Sequence, residues 1–144
     1  MAFPSKILVP LDFDPSSEAA LGRAIDLARV TNASLHLLHV FPTESSENPS
    51  RRIAIPIETR EQAREQLSAL TERTQRIMGA PVSSELAEGA SESLIVQRAT
   101  EGSYDLIAMG THSRLGRLRS LAGSVAEGVI RGAPCPVLVV HEPS

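Results

Sequence analysis

Between Gly110 and Ser124 the sequence reads Gly-Thr-His-Ser-Arg-Leu-Gly-Arg-Leu-Arg-Ser-Leu-Ala-Gly-Ser, a run of small residues and hydroxyls that carries three arginines. Small residues let a backbone approach an anion closely, the free N–H groups at a helix start point at it, and guanidinium groups balance its charge. That combination is phosphate-binding chemistry. Arg114, Arg117 and Arg119 read mainly as a solvated loop with one phosphate contact among them. Asp12 is the second candidate. It follows the apolar run Lys6-Ile-Leu-Val-Pro-Leu11, and its carboxylate can face a ligand or hold the N–H groups of the turn it opens.

The other reactive side chains carry less. His36 and His39 stand three apart on an expected strand, point to opposite faces and cannot share a metal. His112 reads as an exposed loop residue, and Cys135, between two prolines and without a second cysteine, as a packed structural residue. No metal cluster and no nucleophile with a base is evident, so enzymatic turnover beyond slow hydrolysis is not expected.

Regular elements must position these residues. Lys6–Leu11 reads as a strand buried on both faces, and Asp14 with Pro15 opens a helix to about Val30. A second strand covers 34–40. From Phe41 to Glu58 the composition turns to Pro, Ser, Glu and Arg without periodicity, which predicts a mobile loop. Thr59-Arg-Glu-Gln62 has capping-box spacing and starts the longest helix, with Ala63, Leu67, Leu70 and Ile77 on its apolar face. A weak third strand over 82–87, a helix capped near Ser91 with Leu94, Ile95 and Ala99 inward, and a fourth strand over 106–109 follow. Past the glycine stretch, 125–131 reads as a helix and Val137–Val140 as the fifth strand. Strict β-α alternation implies a mostly parallel sheet with helices on both faces, and ligands beyond the carboxyl ends of its strands. Asp12 and Gly110 both fall on that rim.

At 144 residues the chain is expected to form a single domain, with 42% hydrophobic residues for its core. Aromatic residues make up only 3%, which argues against base-stacking platforms, and a net charge of −3 lacks the footprint of a nucleic-acid binder. A small anion suits the arginines better than a polymer. No segment is apolar enough for a signal peptide or a membrane span, and one cysteine cannot form an internal disulfide, so a cytoplasmic protein is expected. The apolar terminal strand would expose unpaired backbone groups at a sheet edge, which predicts a homodimer through Val137, Leu138, Val139 and Val140.

Neither Gly-x-x-x-x-Gly-Lys-Ser/Thr nor Gly-x-Gly-x-x-Gly occurs. The stretch from Gly110 instead resembles the universal stress protein signature Gly-x2-Gly-x9-Gly-Ser/Thr, with Gly110 at the first position, Gly123 and Ser124 at the last pair, and Ser113 where the second glycine falls. The resemblance extends to Val9-Pro-Leu-Asp12, His39-Val40 and Ala133-Pro-Cys-Pro-Val-Leu-Val-Val. It implies a Rossmann-like, adenine nucleotide alpha hydrolase-like domain with an open five-stranded sheet of order 3-2-1-4-5, commonly dimeric, one branch of which binds ATP. It further implies that Asp12 faces the ribose or adenine end, that Val40 offers backbone groups to adenine, and that Gly110, Gly123 and Ser124 hold ribose and phosphates. Pro10, Met109, Ser113, Arg114 and Val125 complete the implied site. A side chain at Ser113 narrows the phosphate path, while its hydroxyl can donate to a phosphate.

The expected function is a stress protein that binds ATP, with Mg²⁺ on the phosphates, and acts as a sensor or regulator. Two rivals remain open: a nucleotide-free dimeric stress protein acting through protein contacts, and a slow ATP hydrolase or nucleotidyl-transfer enzyme on the same scaffold.

Overall fold

The computed structural model describes residues 3–41, 59–111 and 124–141. The expected loop, apart from Phe41, and the interior of the glycine stretch, with Ser113, Arg114 and Gly123, lie outside the described residues. The elements are β1 Lys6–Leu11, α1 Pro15–Thr31, β2 Ser34–Phe41, α2 Arg60–Met78, β3 Ser83–Glu88, α3 Ser91–Glu101, β4 Leu106–Thr111, α4 Ser124–Gly132 and β5 Val137–His141. All five strands are parallel, in the order β3-β2-β1-β4-β5. This is the Rossmann-like α/β architecture expected.

The caps form where the residue types require them. Asp14 accepts from the Ser17 N–H at 2.9 Å and Pro15 occupies the first turn of α1. Asn32, at φ 64°, ends that helix in the left-handed region. Thr59 and Gln62 close the capping box reciprocally, with both bonds at 3.0 Å, and Gly79 ends α2 at φ 68°. Two readings need correction. The inward face of α2 is Ala63, Leu67, Leu70 and Thr74, while Ile77 is 47% exposed. In the last turn Met78 packs inward instead, and Thr74 tolerates burial because its hydroxyl donates to the Leu70 carbonyl at 2.7 Å. At α3 the N-cap is Ala90, without a side-chain cap, and Ser91 is already helical.

The sheet divides the core. Alternate side chains Ile7, Val9, Leu11, Leu35 and Leu37 meet α1 and α2 on one face. Leu8, Leu38, Val40, Ile107 and Met109 meet Ile95 and Ala99 of α3 and Ala126 and Val129 of α4 on the other. With both faces covered, the strands read as unbroken apolar runs. His36 and His39 accordingly belong to different layers: the His36 ring stacks 5.9 Å from Tyr104, and the His39 ring lies 4.4 Å from Phe13. Near His36, Arg98 grips Glu85 through Nε at 2.9 Å and Nη2 at 2.8 Å, so these charges are internally paired.

At the amino ends of the strands Asp105 accepts from the Ser5 N–H at 2.9 Å, the Lys6 N–H at 2.9 Å and the Ser5 hydroxyl at 3.0 Å. This ties β1 to β4 at the end opposite Asp12 and Gly110. Cys135 packs partly against the α3/α4 layer, where burial, and then the Asp105 carboxylate, push its thiol up.

Candidate functional site

β1 leads through α1 to β2 on one side of the sheet, and β4 leads through α4 to β5 on the other. The carboxyl ends of β1 and β4 therefore flank the point where strand order reverses, and a crevice for a ligand opens there in sheets of this kind. Leu11 pairs with His39 of β2, which sets Val40 beside Asp12, and continuing the β1–β4 register brings Gly110 level with Leu11.

The β1–α1 turn is built from its hydroxyls and carboxylates. The Asp12 N–H donates to Ser17 Oγ at 3.4 Å, and the Asp14 N–H donates to Asp12 Oδ1 at 3.3 Å. Ser16 Oγ donates to Asp14 Oδ1 at 2.9 Å, and Ser17 Oγ donates to the Asp14 carbonyl at 3.1 Å. Asp12 thus holds a turn N–H and still stands exposed on the rim. Protein atoms crowd its carboxyl, and this desolvation, reinforced by Asp14, raises it above the ordinary aspartate value.

Phe13 takes φ 66°, a left-handed conformation that costs a side-chain-bearing residue about 1 kcal/mol. Its ring covers the buried His39, whose Nδ1 donates to the Leu11 carbonyl at 2.6 Å. The turn is locked from below by that bond and from α1 by the serines.

Gly110 has a packing reason of its own. A Cβ there would overlap the main-chain carbonyl of Ser16 and lie 2.6 Å from its Oγ, so only glycine lets the start of α1 close on β4. Of the expected site residues, Pro10, Val40 and Met109 are buried strand residues, and Val125 is half-buried on α4. Val40 and Met109 point into the α3/α4 layer and can offer a rim ligand only main-chain groups. Ser124 begins α4, whose amino end a parallel crossover places at the carboxyl edge of the sheet. The structure adds Phe13, Ser16, Ser17 and His39 to the site's framework. The Asp-Phe-Asp-Pro-Ser-Ser run announced a cap and turn, but nothing in it distinguished Phe13. Among the described residues no group of three His, Cys, Asp or Glu side chains could hold a metal ion, and no helix is long and apolar enough to cross a membrane.

Residues 4–141 match the model of the universal stress protein family. A universal stress protein of Methanocaldococcus jannaschii is 33% identical over 96% of this chain and 82% of its own length. Among solved structures, UspA from Lactobacillus plantarum superposes with a TM-score of 0.77 at 25% identity, covering 97% of this chain and 99% of that one. A universal stress protein from Archaeoglobus fulgidus, in complex with dAMP, superposes with a TM-score of 0.68 at 24% identity, covering 96% and 99%.

Proposed function

This chain belongs to the universal stress protein family, and on that premise we propose that it binds an adenine nucleotide in the β1/β4 crevice, ATP with Mg²⁺ on its phosphates, and acts in stress response as a sensor or regulator. One observation carries the reading: Asp12, the Val40 backbone and Gly110 share the carboxyl rim at the switch point, with the start of α4 beside them. The dAMP held by the Archaeoglobus protein supports the choice of base. In this reading Asp12 accepts from a ribose hydroxyl and Val40 presents backbone groups to adenine. Pro10 and Met109 frame the strand ends, and Gly110, Ser113, Arg114, Gly123, Ser124 and Val125 follow the ribose and phosphates. Mg²⁺ is carried by the nucleotide, and no described protein cluster is needed for it.

Calorimetric titration with ATP and Mg²⁺ is expected to give saturable heat. Asp12→Ala is expected to weaken binding about tenfold, the equivalent of one charged hydrogen bond. The ribose bond is strongest to the ionised carboxylate, a charge-assisted acceptor. Because Asp12 is raised, affinity falls as the pH drops from neutral, and does so at milder acidity than for an ordinary aspartate. No heat and no thermal shift at millimolar ATP would overturn this reading in favour of a nucleotide-free dimeric stress protein acting through protein contacts.

The protein acts as a homodimer through β5. That strand ends the sheet, and Val137, Leu138, Val139 and Val140 remain half-buried in the single chain. Native mass spectrometry at micromolar concentration is expected to show the dimer, and monomer alone would contradict it.

A further inference from the structure

β1 pairs with β2 along its whole length, from Lys6↔Ser34 to Leu11↔His39. With β4 it pairs only at Ile7↔Leu106 and Leu8↔Ile107, although β4 continues to Thr111. The ladder stops halfway, at the strand junction beneath the candidate site.

The direction of the main-chain groups explains where it stops. The Ser5 carbonyl accepts from Ser34 on the β2 side and the Lys6 carbonyl accepts from Asp105 on the β4 side, so the groups of residues 6, 8 and 10 turn toward β4. On β4 the Ile107 N–H donates to Pro136 on the β5 side, which leaves residues 106, 108 and 110 directed at β1. The next two pairs in this register, 9↔108 and 10↔109, would both run through an N–H at position 10 reaching the Ala108 carbonyl. Position 10 is proline, which has none. The pair after that, 11↔110, would need the Asp12 N–H at the Gly110 carbonyl, and that N–H is directed instead to Ser17 Oγ at 3.4 Å.

We infer that Pro10 is a positioning residue: by withholding one donor it ends the β1–β4 ladder at Leu8, three residues short of the strand end, and keeps the ends of the two strands from zipping together where the ligand must enter. Proline is normally excluded from a central strand because it breaks the ladder. Here the break falls on one side only, since the groups of residues 7, 9 and 11 face β2 and need nothing from position 10. Ser17 completes the device by drawing the Asp12 backbone toward α1. The role in binding rests on the adenine-nucleotide reading; the ladder break itself does not.

The test is Pro10→Val, which restores the donor with a strand-forming side chain, and Pro10→Ala as a second variant if valine does not fold. In the ligand-free protein, hydrogen exchange by NMR is expected to show the new amide at position 10 protected at least about a hundredfold over an unstructured amide. The melting temperature is expected to hold or rise while affinity for ATP with Mg²⁺ falls about tenfold. An amide that exchanges without protection overturns the ladder argument. A protected amide with unchanged affinity overturns the positioning role. Wild-type protein that takes up no adenine nucleotide overturns the proposed function and the positioning role with it, while amide protection in the variant still decides the ladder break.

Discussion

Gly110→Ala is expected to lower the unfolding free energy by about 3 kcal/mol and the melting temperature by roughly 10 °C. The added methyl group would occupy the space of the Ser16 carbonyl carbon and oxygen. Those are main-chain atoms, so no rotamer change relieves the overlap. α1 cannot retreat without withdrawing Ala20, Leu21 and Ala24 from the core, and β4 is held by β5 along five pairs. Gly128 is the internal control. A methyl group there meets the Glu92 carboxylate, the far end of a flexible side chain that can turn aside. Gly128→Ala should therefore change stability by no more than about 1 kcal/mol, alanine's better helix propensity offsetting the adjustment. Denaturant titration of both variants checks the pair, and a Gly110→Ala protein as stable as the wild type would refute the close approach.

The second large effect is at Asp105, where Asp105→Asn should cost about 2 kcal/mol in thermal or chemical melts. Asparagine keeps the shape but loses the charge on three donors that all point at the carboxylate. Burial alone would raise this group; the N–H groups of Lys6 and Ser5 and the Ser5 hydroxyl together outweigh it and hold the carboxyl below its ordinary value. The sign of the pH dependence follows. A folded-state value below the unfolded one contributes stability that is complete above the unfolded value and disappears as the pH falls through the folded one. The gap between wild type and Asp105→Asn should therefore be widest near neutrality and narrow in acid.

Much of the scaffold was legible because its signals are local. Asp14-Pro15 and Thr59 with Gln62 specify helix starts through bonds three residues long, and they form as read. Continuous apolar runs announced strands covered on both faces. Ile77 misled because a helical face drifts near its end, and Met78 satisfies the last turn equally well. The site was legible as an edge and not as a mechanism. Gly110 suggested close approach by a ligand, whereas the neighbour that requires a glycine is the main chain of α1, a partner no local pattern can reveal. The left-handed Phe13 had no sequence signal either, since phenylalanine is not a turn former and only the surrounding bonds enforce its conformation. Proline is ordinarily excluded from a central strand, a conflict the apolar run did not reveal, and β1 stands because the ladder to β2 does not use that residue.

The Asp105 clamp also has a place in time. Its partners, Ser5 and Asp105, are 100 residues apart in the chain, so the bond gains nothing until β1, α1, β2 and the two following units have condensed between them. β1, α1 and β2, by contrast, close on short connections. The clamp is therefore expected to form late, after the folding transition state, and its loss to leave the refolding rate nearly unchanged while nearly all of the lost stability appears as faster unfolding. On that expectation the carboxylate of Asp105 sets how long the native state lasts and not how fast it forms.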